Sequence, residues 1–121
     1  MSNDEVPRKQ RILVMNGQRL VQEQKGGEWV TQKVGKAGRL KPGIYHAYLA
    51  KDSDQALQHT GVVFHADDRY VYQQEVQGIT RHPLSAFGSI PEYGRPVCIT
   101  YEEGRALAVD VPLSHSQKLS R

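Results

Sequence analysis

One cysteine, Cys98, stands in the whole chain. That excludes an intrachain disulfide framework and a multi-cysteine zinc site, since both need further thiols. No apolar run approaches the ~20 residues a membrane helix requires. The opening residues, MSNDEVPRKQ, lack the charged-then-apolar order of a secretory signal. The expectation is a soluble intracellular protein without membrane contact. Helical periodicity is nearly absent as well. Hydrophobic residues make up 38% of 121 positions and aromatics only 7%, enough for the modest core of one domain.

Charge of one sign is scarce in each part of the chain. Residues 1–41 hold nine Lys/Arg against four Asp/Glu, a balance of +5. Residues 42–111 hold five against nine, a balance of −4, and residues 112–121 add +2. The basic first third fits either an acidic partner such as nucleic acid or attraction to the acidic remainder of the fold.

What the sequence does contain is strands, at short spacing, broken by Gly, Asp and Asn. RILVM (11–15) runs into Asn16-Gly17, whose tolerance of positive φ suits a type I′ hairpin turn. QRLVQEQ (18–24) returns, KGG (25–27) turns again, and EWVTQKV (28–34) completes a meander. GKAGRLKPG (35–43) reads as a loop. GIYHAYLA (43–50) reads as a strand, and 51–59 holds a helical turn at most. TGVVFHA (60–66) and RYVYQQ (69–74) flank a tight Asp67-Asp68 turn, and GIT (78–80) can pair next. HPLSAFG (82–88) predicts a short helical turn, with Pro83 at its first position and Gly88 past its end. Residues 95–111 form a hairpin about Glu103-Gly104, with Leu107, Val109 and Val111 alternating back. The fold expected is mainly β: a small antiparallel barrel or strongly bent sheet, SH3-like in style, with one helical turn near 83–87. The segments expected are a flexible N-terminus 1–10, a single β-rich domain 11–111 and a disordered tail 112–121. The domain divides into a meander 11–34, a basic loop 35–42 and the remainder 43–111.

Chemistry is harder to find. No two of the five histidines share a metal-ligand spacing, and no metal or cofactor is expected. His65 with Asp67 and Asp68 could hold a divalent ion for hydrolysis or nuclease chemistry; a turn beside a solvated histidine uses the same letters. Cys98 lies on the strand face opposite Val97 and Ile99 and reads as filler. There is no Gly-x-Ser-x-Gly elbow and no phosphate-binding loop. Lys33, Lys36, Arg39 and Lys41 could touch a nucleic-acid backbone. Tyr72, Gln73, Arg81 and His82 come together if 72–73 pairs with 81–82 across the intervening turn. They form either a protein-binding surface or a buried hydrogen-bonded network that fixes the fold.

RILVMNGQRLVQEQ, KVGKAGRLKPGIYHAYLAKDSDQ, HTGVVFHADDRYVYQQ, ITRHPLSAFGSIPEYG and ITYEEGRA together resemble the KfrB-domain proteins of conjugative plasmids. The resemblance runs from about 11 to 109, with 43–111 the most KfrB-like part. Its distinctive letters are Gly43-Ile44-Tyr45, Thr60-Gly61, Val71-Tyr72-Gln73, and His82 followed by Phe87 and Pro91. Glu75 and Val76 depart from a more glycine- and lysine-rich turn, which removes positive charge there. The resemblance implies a non-enzymatic accessory protein of the bacterial cytoplasm, linked with plasmid maintenance, partition or conjugative transfer. Its implied partners are other plasmid-encoded proteins, among them a long helical DNA-binding protein. It carries no catalytic residue with it. Exposed edge strands also allow strand addition and a homodimer.

Overall fold

The computed structural model describes residues 9–111. Most of the expected flexible segment 1–10, and all of the expected disordered tail 112–121, lie outside the described residues; Gln10 already belongs to the first strand. In chain order the elements are β1 (Gln10–Met15), β2 (Gln18–Lys25), β3 (Glu28–Lys36), β4 (Gly43–Tyr45), a 3₁₀ turn (Ala47–Leu49) and β5 (Lys51–Asp52). There follow β6 (His59–Ala66), β7 (Tyr70–Glu75), β8 (Gly78–Pro83), a second 3₁₀ turn (Leu84–Ala86), β9 (Pro96–Glu102) and β10 (Arg105–Asp110).

The protein is mainly β, and its strands form two open sheets rather than a closed barrel. The four-stranded sheet runs β3-β2-β1-β4 and the six-stranded sheet β10-β9-β6-β7-β8-β5. All pairings are antiparallel except the short β5–β8 contact. The two best turn signals behave as their chemistry dictates. Asn16 and Gly17 take φ of 53° and 74°, and Glu103 and Gly104 take 53° and 80°. The turn after β8 follows Pro83, which closes the strand instead of opening the helix, and Phe87 donates back to the Leu84 carbonyl at 3.1 Å.

Two expectations need correction. The strand 43–50 ends at Tyr45, because the chain must then coil to drive Ala47 into the core; Leu49 N–H reaches His46 O at 2.9 Å. The basic loop 35–42 is partly strand and partly anchored: β3 continues through Lys36, Ala37 donates to Gly17 O at 2.9 Å, and Ala37 and Leu40 are buried.

Both sheets contribute to one cluster: Ile12 and Val14 from β1, Val21 from β2, Leu40, Phe64 from β6 and Tyr72 from β7. The other face of the six-stranded sheet builds a second cluster from Val63, Val71, Val97 and Ile99, covered by Leu84 and Phe87. Strand side chains alternate between faces, so a strand with clusters on both sides feeds one and then the other. In β6 a bulge sets this alternation. Val63 pairs with Gln73 and His65 with Tyr72, leaving Phe64 as the extra residue.

Close approach of β6 to β7 fixes one glycine. A Cβ on Gly61 would lie 2.0 Å from Gln74 O, a backbone atom that cannot yield without distorting the strand pair. Gly61→Ala is expected to lower the unfolding free energy by about 2–3 kcal/mol. Gly17→Ala meets only open space at its positive φ and is expected to cost about 1 kcal/mol. Urea denaturation of the two variants checks the ordering, and equal losses would refute the steric account.

Candidate functional site

β7 places Val71, Gln73 and Glu75 on one face of the six-stranded sheet and Tyr70, Tyr72 and Gln74 on the other. Its register with β8 pairs Tyr72 with Arg81, Gln73 with Thr80 and Val71 with His82. Directly opposed residues share a face. Gln73 and His82 therefore face the second cluster, while Tyr72 and Arg81 face the four-stranded sheet.

On the first of these faces a polar network crosses four strands. Gln73 Nε2 donates to His59 O at 3.1 Å and to Val97 O at 3.2 Å. Two carbonyls demand the amide nitrogen, so Oε1 must point the other way, where it accepts from His82 Nε2 at 2.8 Å. Burial lowers the His82 pKa to about 4, with His59 adding to the effect and Glu75 opposing it. The ring is thus neutral at pH 7 with its proton on Nε2, and its Nδ1 accepts from the Tyr101 hydroxyl at 2.5 Å. Tyr101 in turn is 3.1 Å from Ser53 Oγ, which is left as the donor of that pair. Burial raises the Tyr101 pKa, holding the phenol in the protonated form this chain requires. Next to it, His59 Nδ1 meets Glu75 Oε2 at 2.9 Å and its Nε2 meets Asp54 O at 2.9 Å. Each nitrogen of this ring thus faces an oxygen, one from the carboxylate and one from the backbone. Thr80 Oγ1 and Gln77 Nε2 also donate to Glu75.

A second network joins the sheets. Arg19 of β2 is buried, and its Nε donates to Phe64 O at 3.0 Å, the carbonyl of the bulged residue. Its Nη2 donates to His65 Nδ1 at 2.8 Å, and its guanidinium lies 4.3 Å from the Tyr93 ring centre. No carboxylate pairs with it among the described residues; burial lowers its pKa, and Tyr93 opposes that. His65, its Nδ1 used as acceptor, gives its Nε2 proton to Gln10 Oε1 at 3.3 Å. Burial lowers His65 to about 4; Arg19 and Lys33 push the same way and Asp67 opposes.

The four residues proposed as one binding surface are separated by this geometry. Gln73 and His82 are fully buried, and Tyr72 is buried with its hydroxyl 3.1 Å from Asp67 Oδ2. Burial and the Asp67 carboxylate raise the Tyr72 pKa. Only Arg81 reaches solvent, stacked 4.3 Å from the Tyr70 ring centre and held to Asp52 Oδ1 at 2.5 Å. The surface reading is thereby corrected for Tyr72, Gln73 and His82, because these three side chains are themselves buried between the strand and the layers packed on it. The buried-network alternative describes Gln73 and His82. The metal reading of His65, Asp67 and Asp68 is corrected too. Both ring nitrogens are engaged, a guanidinium adjoins one of them, and Asp67 Oδ1 accepts the N–H groups of Arg69 and Tyr70 as a turn cap. Among the described residues no group of three or more His, Cys, Asp or Glu is arranged to hold a metal.

Lys33, Lys36, Arg39 and Lys41 are all exposed. Alternation along β3 puts Lys33 and Lys36 on opposite faces of the strand. An open cleft of about 380 Å³ lies between the 89–95 loop and β10. Its charges satisfy one another, since Arg95 reaches Glu92 at 3.4 Å and Asp110 at 2.6 Å.

The outer face of the four-stranded sheet remains. The register brings Arg11, Leu13 and Met15 of β1, Leu20 and Gln22 of β2, Trp29 and Val34 of β3 and Ile44 of β4 to this side. Met15, Val34 and Ile44 are 45%, 55% and 49% exposed, which makes this an apolar face open to solvent. At one end Arg11 lies 4.4 Å from the Trp29 ring centre, Trp29 packs at 5.7 Å on Tyr48, and Lys9 stands over Tyr48. Sequence reasoning missed this face, as it missed Arg19, His59 and Glu75. The alternating apolar letters of 11–34 gave the strands but not which side another layer covers.

The family model described as KfrB Domain matches residues 58–110, a span that takes in the whole of β6 to β10. Protein TraB of Escherichia coli is similar to the chain, 36% identical over 102 residues, a stretch that covers 82% of this chain and 70% of that protein.

The two depressed histidines give the protein an acid sensitivity of defined sign. Between about pH 6.5 and 4 the unfolded chain takes up protons at His65 and His82 that the native state refuses. The contribution of these two rings is therefore fully present above about 6.5 and declines as the pH falls through this window, by at most about 3 kcal/mol for each histidine. The urea midpoint measured from pH 7 to pH 4.5 is expected to fall, and His82→Gln is expected to flatten that profile by about half. A midpoint independent of pH would contradict the assignment of buried neutral rings.

Proposed function

The chain belongs to the KfrB-domain family, and from that premise we propose that it is a non-enzymatic accessory protein of a plasmid, acting through protein–protein contacts in maintenance, partition or conjugative transfer. Its place of action on this reading is the bacterial cytoplasm. No helix among the described residues is long and apolar enough to cross a membrane.

One observation carries the docking role: the open apolar face of the four-stranded sheet. The side chains that chemistry would draw on, His59, His65, His82, Glu75 and Tyr72, are buried and spend their polar atoms on other side chains and on the backbone. The outer face, by contrast, presents Leu13, Met15, Leu20, Val34 and Ile44 with Arg11 and Lys36 beside them. No acidic residue occupies this face in the register. An apolar patch with a basic margin fits a plasmid-encoded protein partner whose own contact is apolar with an acidic rim.

A second reading, direct nucleic-acid binding, is favoured by one fact. Lys33, Lys36, Arg39 and Lys41 are exposed and take part in no ion pair among the described residues. The split of Lys33 and Lys36 across β3 leaves it second.

Affinity capture from a plasmid-bearing host, with and without nuclease, separates the two. The docking reading expects a plasmid-encoded protein retained after nuclease and lost, at least tenfold, with the Met15→Glu/Val34→Glu variant. Both positions are exposed, so the variant should keep the native circular dichroism and thermal midpoint. Capture unaffected by these substitutions removes the face from consideration. Capture abolished by nuclease, with binding that weakens steeply as salt rises, establishes the second reading instead.

A further inference from the structure

β10 ends the six-stranded sheet and has no strand beyond it among the described residues. Other sheet edges are short or carry charge along their length: β5 has two residues, β4 has three, and β3 bears Lys33 and Lys36. Such features discourage pairing with another chain. The middle of β10 is Ala106-Leu107-Ala108-Val109, uncharged, regular and exposed from Leu107 onward. Leu107 and Val109, which alternate along the return strand, are 48% and 63% exposed. They lie on the face shared with Cys98 and Thr100, beyond the reach of the four-stranded sheet.

The direction of the backbone groups on this strand follows from one bond. Val111 N–H donates to Pro96 O at 3.1 Å. The β9–β10 register is free of bulges, so residues 105, 107 and 109 also turn their backbone groups toward β9. Those of Ala106, Ala108 and Asp110 turn outward to the unpaired edge.

We propose that this edge pairs with the same edge of a second copy of the chain, antiparallel about a two-fold axis at Ala108, joining two six-stranded sheets into one. A two-fold normal to the sheet keeps each face continuous and pairs only residues that share a face, here 108 with 108, 106 with 110 and 107 with 109. All the outward N–H and C=O groups of Ala106, Ala108 and Asp110 then find partners, giving about six backbone hydrogen bonds. Leu107 meets Val109 of the other copy twice on one face, Ala108 meets Ala108 and Ala106 meets Asp110 on the opposite face, and no like charges oppose. This self-complementarity favours a second copy over an unrelated strand. The contact is small, so the dimer is a weak one in the micromolar range.

Sedimentation velocity of the full chain across micromolar to submillimolar concentrations tests it. Ala108→Pro removes only an outward N–H and leaves every bond to β9 in place, a substitution edge strands tolerate. It is expected to abolish the dimer while keeping circular dichroism and thermal midpoint near wild type. Val109→Lys, at an exposed site, is expected to weaken dimerisation at least tenfold and stands in if the proline variant misfolds. In a Cys98→Ala background, Leu107→Cys with Val109→Cys is expected to give a disulfide-linked dimer under mild oxidation, whereas Leu107→Cys alone is not; this reads the register. A wild-type monomer at every concentration overturns the proposal, as does a dimer unaffected by both edge variants. A monomer that captures a foreign protein, lost on Ala108→Pro, would assign the edge to that partner's strand and likewise overturn it.

Discussion

β7 is buried on both faces over Val71, Tyr72 and Gln73, and most of the molecule follows from that constraint. One side of the strand packs against the four-stranded sheet through Tyr72, and the other faces the Val63–Val97–Ile99 cluster through Val71. Every polar group placed on it must find a partner inside the protein, because an unpaired buried donor or acceptor costs about 1–3 kcal/mol. Gln73 meets the requirement with three bonds that tie β6, β8 and β9 to β7. Glu75 meets it with His59, Thr80 and Gln77. The strand is the hub through which its neighbours are held in register, and the neutral state of His82 follows from its place beside that hub.

The joint between the sheets uses different physics. The bulge at Phe64 frees one carbonyl from the ladder, and Arg19 takes it up. A guanidinium can satisfy a carbonyl, an imidazole nitrogen and an aromatic face together, which a lysine ammonium cannot do in the same geometry. Gly94 permits this arrangement from the side: its N–H donates to Val63 O at 2.9 Å, and a Cβ there would strike the Arg39–Leu40 backbone at 2.7 Å. The segment after β3 is thus seated against the loop before β9, and the cations Arg39 and Lys41 project from an anchored stretch of backbone.

Local chemistry was legible in the sequence, and tertiary coverage was not. Asn16-Gly17, Asp67-Asp68, Glu103-Gly104 and the Pro83–Gly88 bracket each announce a turn through the backbone geometry those residues allow, and each turn is present. An antiparallel pairing of 72–73 with 81–82 could likewise be read from strand spacing, one residue away from the register found, which sets Tyr72 opposite Arg81 and Gln73 opposite Thr80. The letters Tyr, Gln, Glu and His on β7 and β8 describe equally a wet surface and a buried network. What decides between them is a partner such as His59 or Tyr101, 14 to 24 residues away and set by the fold. Arg19 illustrates the same limit over 45 residues. Leu107 and Val109 show its reverse, apolar alternation left uncovered because the neighbouring sheet extends only as far as β6.

Glu75 and Val76 adjoin in sequence and live under opposite rules. Glu75 is held by three side chains, while Val76, at the tip of the β7–β8 hairpin, stands fully in solvent. A change at the first disturbs a network of several strands; a change or insertion at the second touches none of it, as loop tips generally permit. Evolution can lengthen, shorten or recharge the tip of this hairpin on a timescale set only by what the tip meets outside the protein, while its base stays pinned.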